Sequence, residues 1–213
     1  MRISELNTAT GVTVPTIKYY LREGLLSAGQ LTSANQASYD ESHVARVRLI
    51  RALIEVGNLP IATVKTVLEA IDTPGRPLSW IFGVAQHAIS DASLYVPLEG
   101  ESEGTRKTGE AIDRMGWHVS DDNPGRYGAA RVLDTYDRVG HPELAEIWDG
   151  YAKGSELIAR ADLEAVGRQT DVEAMSETVV VGTVLGDALL SSLRRMAQEH
   201  VSSQLFPNPR SES

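Results

Sequence analysis

Residues 3 to 70 constrain this chain more than any other stretch, because short apolar-periodic runs alternate there with residues that cap, turn or stop a helix. Ile3, Leu6 and Ala9 mark one short helix, and Gly11 follows with the freedom to take the positive φ of a tight inter-helix turn. A second helix starts at once. Thr13 is a good N-cap, Pro15 falls in the first turn where a missing N–H costs nothing, and Val14, Ile17 and Leu21 recur on one buried face. Gly24 ends it.

The other face of that second helix carries the chemistry. Pro15, Lys18, Tyr19 and Arg22 fall at i, i+3, i+4 and i+7, so they point away from the apolar stripe together. Two cations and a phenol suit a phosphate-lined groove, since Lys and Arg neutralise phosphates or reach guanine edges and a tyrosine hydroxyl bonds a phosphate oxygen. A solvated charged face explains one such helix equally well. The residues that follow tip the balance. SAGQLTSANQASYD, with Gly29 and Asn35 as turn formers, has the length of a two-stranded ribbon and reads as a wing. Asp40 caps a third helix with Val44, Val47, Ile50 and Ile54 as its core stripe and Arg46, Arg48 and Arg51 around it. Gly57 closes that helix and Pro60 opens a fourth, with Ile61, Val64, Val67, Leu68 and Ile71 buried and the Gly57 to Leu59 corner as a second wing. The whole reads as a winged helix-turn-helix followed by two amphipathic helices.

On these motifs the N-terminal third resembles the MerR family of bacterial transcriptional regulators: ISEL, then GVTVPTIKYYLREGLL, a wing closing on Tyr39, and RLIRALIEVGNLPIATVKTVL from Arg48 to Leu68. The resemblance implies recognition-helix contacts to double-stranded DNA from Thr16, Lys18, Tyr19, Tyr20 and Arg22, with Thr13 and Pro15 at the start of the same helix and wing contacts from Asn35, Gln36 and Tyr39. Many members carry Gly-Tyr-Arg-x-Tyr at the wing; here Asn35, Gln36, Ala37, Ser38 and Tyr39 stand there, so a weaker electrostatic grip is expected. Members usually continue into a long coiled-coil helix that pairs with its mate. Here TPGRP at 73–77 interrupts the chain, and the following helix, with Leu78, Ile81, Phe82, Ala85 and Ile89, is too short for a coiled coil.

The net charge of −9 would argue against nucleic acid if it were evenly spread. It is not. Residues 1–75 hold seven Lys/Arg and seven Asp/Glu, leaving thirteen and twenty-two beyond, so the acidic excess lies wholly in the C-terminal part and should face away from DNA. A neutral module must present its cations locally, at Arg2, Lys18, Arg22 and Arg46. The absence of cysteine excludes disulfides, thiolate metal sites and iron–sulfur clusters. The five histidines show no close i, i+4 pairing, so neither a metal nor another cofactor is expected. The most apolar run, Val179 to Leu190, contains Asp187 and reads as too short and too polar to span a membrane; with no signal peptide, a cytoplasmic protein is expected.

Expected architecture is all-α with a small β wing: a DNA-binding domain over 1–72, a linker at 73–77, a helical effector and dimerisation domain over 78–208, and a disordered tail at 209–213. Within the second domain the sequence predicts helices near 78–92, 106–118, 125–138, 142–168 and 171–205, and an exposed loop over EGESEGTRKTG at 99–109. The last helix would extend ~50 Å. Ala174, Thr178, Gly182 and Gly186 place small residues every fourth position beside Met175, Val179, Leu185, Leu189, Leu193 and Met196. Interior glycines cost a helix stability, so close approach of another helix is expected to compensate. We read Thr178, Gly182, Leu185, Gly186, Leu189 and Leu193 as a homodimer interface, resembling the four-helix arrangement of TetR-type effector domains, against packing within one subunit.

Trp80, Trp117, Tyr127, Tyr136, Trp148 and Tyr151 are candidate walls of an effector cavity, though aromatics are core material first. No nucleophile motif, phosphate loop or carboxylate pair stands out, so catalysis is not expected. The resulting expectation is a homodimeric regulator on an inverted-repeat promoter, acting on RNA polymerase indirectly through DNA distortion and responding to a small molecule. Repression by occlusion and a small-molecule sequestration protein are the alternatives.

Overall fold

The computed structural model describes residues 1–33, 36–90 and 100–206, and nine α-helices, one 3-10 turn and a two-stranded ribbon make up its elements there. The chain divides into two compact units: Met1–Pro74 together with Val180–Ser213, and Gly75–Val179. The junction between Pro74 and Gly75 falls within residues 73–77, and the last helix crosses from the second unit to the first at Val180.

In the first unit, α1 (Ile3–Thr10) ends at Gly11 with φ 69° and α2 (Val14–Glu23) ends at Gly24 with φ 73°, so both glycines take the left-handed turn anticipated for such ends. Thr13 caps α2, accepting from Thr16 N. The wing follows as β1 (Gln30–Ser33) antiparallel to β2 (Gln36–Ser38), with Leu31 opposite Ala37 and an irregularity between Leu31 and Ser33. Asp40 caps α3 (Glu41–Glu55) and Pro60 opens α4 (Ile61–Asp72). Leu6, Ile17, Val47, Ile50, Leu53, Val64 and Val67 are fully buried and form the core beneath α2. Arg48 donates to the Ala9 carbonyl at 3.2 Å and Arg51 to the Thr10 carbonyl at 3.3 Å, tying α3 to the open C-terminal end of α1. The Gly57 to Leu59 corner is a tight turn rather than a second wing: Leu59 is buried and its N–H donates to Leu53 O at 3.1 Å.

In the second unit, α5 (Leu78–Ile89) buries Ile81 and Ala85. Two of its expected residues, 91 and 92, and the tail at 209–213 lie outside the described residues. The helix expected near 106–118 is α6 (Glu103–Met115), which begins earlier, with Ser102 as N-cap, so residues 103–109 of the expected exposed loop are helical. Arg106 bonds Glu103 and Glu110 along its exposed side, which stabilises a helix whose composition is almost wholly polar. α6 packs along α7 (Pro124–Arg138), with Gly104 N donating to Asp134 Oδ1 at 2.7 Å. The expected helix at 142–168 divides into a 3-10 turn over Pro142–Ile147 and α8 (Trp148–Gly167).

α9 (Val172–Leu205) has 34 residues. By length and composition it meets the requirement for crossing a membrane, with an 18-residue window of mean hydropathy 1.3, which corrects the expectation that no run is long enough. Within the first unit it is held by Val180 and Val184, 0% and 2% exposed and one turn apart. A Cβ on Gly57 would lie 2.4 Å from Val184 Cγ1, so the missing side chain is what admits the helix to the α3–α4 corner.

Candidate nucleic-acid interface

Helix α2 is placed by its apolar residues and leaves the rest outward. Ile17 is buried and Val14 and Leu21 are half-buried, whereas Pro15, Lys18 and Arg22 are exposed and Thr16 and Tyr19 half-exposed. The outward side thus carries Pro15, Lys18, Tyr19 and Arg22, the face the helical period assigns to it. Arg22 lies over the Tyr19 ring at 5.1 Å and pairs with Glu23 at 3.4 Å, an exposed ion pair that water screens. Lys18 has no partner among the described residues. At the helix start, Thr13 Oγ1 and Thr16 Oγ1 share a hydrogen bond of 2.8 Å, which leaves both threonines beside the N-terminal N–H groups where an anion is favoured.

Two of the expected contacts are core residues instead. Tyr20 is 6% exposed, and burial, followed by Glu55, pushes its phenol pKa up; lying three residues after Ile17, it continues the buried stripe. Tyr39 is 7% exposed and stands edge-on to the His43 ring at 5.2 Å. Its aromatic ring anchors the base of the wing against α3 and presents no surface to a groove. Asn35 lies outside the described residues. Gln36 is exposed at the wing, and Arg2 is exposed beside the start of α1. Arg46 is half-buried and paired with Asp72 of α4, so its guanidinium is committed within the domain. Sequence reasoning passed over Leu31, 80% exposed on β1; its position opposite Ala37 in an otherwise polar ribbon was the available signal.

The aromatic residues assigned to an effector cavity differ in exposure. Trp80 is exposed and lies under Arg76 at 4.9 Å, and Tyr151 is exposed. Trp117, Tyr136 and Trp148 are half-buried, and the Trp148 indole Nε1 is buried without a partner among the described residues. Of the six, Tyr127 alone lines the cleft described below, its hydroxyl donating to the Asp121 carbonyl at 2.9 Å. Along α9, Thr178 donates to Ala174 O, Leu185 is half-buried, and Leu189 and Leu193 are exposed. A Cβ at Gly182 or Gly186 would meet nothing within 4 Å.

Comparison with known proteins agrees with this geometry. Residues 1–71 match the model of the MerR HTH family regulatory proteins. The chain is 50% identical over 56 residues to nodulation protein NolA of Bradyrhizobium elkanii, which is 26% of each protein. It is 42% identical over 50 residues to the HTH-type transcriptional regulator ZntR homolog of Haemophilus influenzae, 24% of this chain and 37% of that one. The matched part thus spans about a quarter of the length of NolA. Over nearly the whole chain, 98% of this one and 99% of the other, the fold is similar to that of SCO5550, a candidate transcriptional regulator from Streptomyces coelicolor A3(2), with TM-score 0.69 and 29% identity.

Proposed function

From a MerR-type helix-turn-helix domain at residues 1–71, we propose a sequence-specific transcriptional regulator that binds an inverted-repeat promoter as a homodimer. The outward face of α2 carries this reading: Lys18, Arg22, Tyr19 and Pro15 share one outward side of a helix whose opposite side is locked into the core, with Thr16 at its edge. Thr13 and Arg2 flank it, and Gln36 and Leu31 on the wing reach for the neighbouring backbone or groove. Such a protein works in the cytoplasm, has no catalytic role and touches RNA polymerase only through the promoter it deforms or occludes.

The dimer forms through α9. Thr178, Gly182, Leu185, Gly186, Leu189 and Leu193 follow one another along a side of the helix roughly opposite Val180 and Val184, and a Cβ on either glycine would meet no described residue within 4 Å. A stripe of small residues with that much room suits a second copy of the same helix, related by a two-fold axis. Gly182→Leu should then yield a monomer in analytical ultracentrifugation, and an unchanged dimer mass rejects the interface. The second unit, residues 75–179, receives a small-molecule effector.

The deciding experiment is a gel shift on fragments of the upstream region at two salt concentrations, with Lys18→Ala/Arg22→Ala beside the wild type. Selective binding that the double variant loses, with a salt slope smaller by about two, supports the regulator. Equal binding by both proteins removes α2 from DNA recognition.

A further inference from the structure

Between the first turns of α6 and α7 lies a cleft of about 170 Å³, lined by Thr105 and Thr108 of α6, Arg126, Tyr127 and Ala130 of α7, and Gly100 and Asp121 from the segments before these helices. Thr108 is 3% exposed and its hydroxyl oxygen is buried with no hydrogen-bond partner among the described residues. Several other helical threonines avoid this by donating to the carbonyl four residues back: Thr8 to Ser4, Thr66 to Ala62, Thr135 to Arg131 and Thr178 to Ala174. A buried hydroxyl left unpaired costs free energy, so a group that is not part of the chain is expected to complete it.

The surroundings favour a negative charge. Thr105 and Arg126 each stand third in their helices, so both helix N-termini border the cleft, and the Arg126 guanidinium adds a full charge. Arg126 Nη1 donates to the Val119 carbonyl at 3.2 Å and faces Asp121 Oδ1 at 3.2 Å. Because the Asp121 side chain is fully exposed, that ion pair is screened by water and a ligand carboxylate can take its place. Tyr127, tethered through its hydroxyl, offers an aromatic ring as one wall. The volume resembles that of an engineered protein cavity of ~150 Å³ that takes up one benzene molecule.

We propose that this cleft binds a small monocarboxylic acid built on a single planar ring, with Arg126 and the Thr108 hydroxyl holding the carboxylate and Tyr127 and Ala130 packing the ring. The inference deepens the effector reading of residues 75–179, and rests on it only for its regulatory meaning.

Benzoate, its neutral analogue benzamide, and the non-planar cyclohexanecarboxylate would be titrated into the full-length protein, without DNA, following thermal unfolding and amide NMR shifts. Benzoate should raise Tm with concentration and move amides of α6 and α7, whereas benzamide should not, and cyclohexanecarboxylate should bind more weakly. Thr108→Val should raise the ligand-free Tm, because it removes an unpaired buried hydroxyl, yet weaken benzoate by about tenfold. Thr108→Ser should retain binding. No benzoate effect on the wild type, equal binding by Thr108→Val, equal binding of benzamide, or a ligand-free Tm lowered by Thr108→Val would each overturn the proposal. Because the titration contains no DNA, its failure leaves the gel shift to judge the regulator separately.

Discussion

Gly57→Ala tests whether the last helix is held at the α3–α4 corner. The added Cβ would lie 2.4 Å from Val184 Cγ1 and 2.7 Å from the Leu53 carbonyl oxygen. Neither neighbour can yield freely. Leu53 O is engaged by Leu59 N at 3.1 Å, and Val184 is buried with Val180 one turn before it. Overpacking of this kind costs about 1–3 kcal/mol. Val184→Ala alone removes two buried methyl-sized groups, about 1.6 kcal/mol of transfer free energy before any cavity term. In the double variant the clash with the valine disappears while that with the carbonyl stays, so its cost should fall below the sum of the singles by about 0.5–1.5 kcal/mol. Urea unfolding of the four proteins, followed by far-ultraviolet circular dichroism, measures this coupling. Additivity within about 0.3 kcal/mol would mean that Val184 does not meet Gly57 in solution, and the docking of α9 on this corner would have to be abandoned.

Thr13→Ala should destabilise the first unit by about 0.5–1 kcal/mol, the lower part of the range for N-caps because its bond from Thr16 N is long at 3.4 Å, and Thr13→Asp should restore it; chemical denaturation reads both. Asp40 accepts hydrogen bonds from Ser42 and His43 that hold its carboxyl well below the usual carboxylate range. A folded-state pKa below the unfolded one gives stability that is fully present above the unfolded value, starts to fall as pH drops past that value and is lost as pH falls through the folded one. The Tm advantage of wild type over Asp40→Asn should therefore shrink as pH is lowered from neutral to below about 4, and a gap that stays constant contradicts the assignment. Leu31→Ser on the wing should weaken operator binding in a gel shift without changing Tm, since the side chain is almost wholly exposed; undiminished affinity would exclude the wing tip from the DNA contact.

The first unit was legible in the sequence because its elements are delimited by residues with one dominant local preference. Thr13, Asp40, Gly11, Gly24 and Pro60 each cap or end the helix where they were expected to. Side-chain direction was harder. Tyr19 and Tyr20 are adjacent and chemically alike, and only the spacing from Ile17 assigns Tyr20 to the core. α6 was expected near 106–118, but its first turn was hidden, because that turn is held by ion pairs along its own surface and by Gly104, whose missing Cβ lets the helix approach Ala130 O, where composition alone suggests flexibility. The cleft beside it was invisible for the same reason: the aromatic count pointed to six side chains, but a threonine and an arginine define the polar part of the site. On α9, the pattern of small residues was plain while the division of its faces was not, since Val180 and Val184 compete with the glycine stripe for any partner.

The inward commitment of arginines in the first unit bears on how a DNA reader of this kind finds its target. Arg46 is paired with Asp72, Arg48 and Arg51 with the carbonyls at the end of α1, and Arg51 with Glu55 as well. That leaves Arg2, Lys18, Arg22 and Lys65 in residues 1–75 to grip arbitrary phosphates, so contact with random sequence should be brief. Search would then proceed by repeated landing and departure rather than by long travel along one duplex, and residence time would build up only where the groove fits α2.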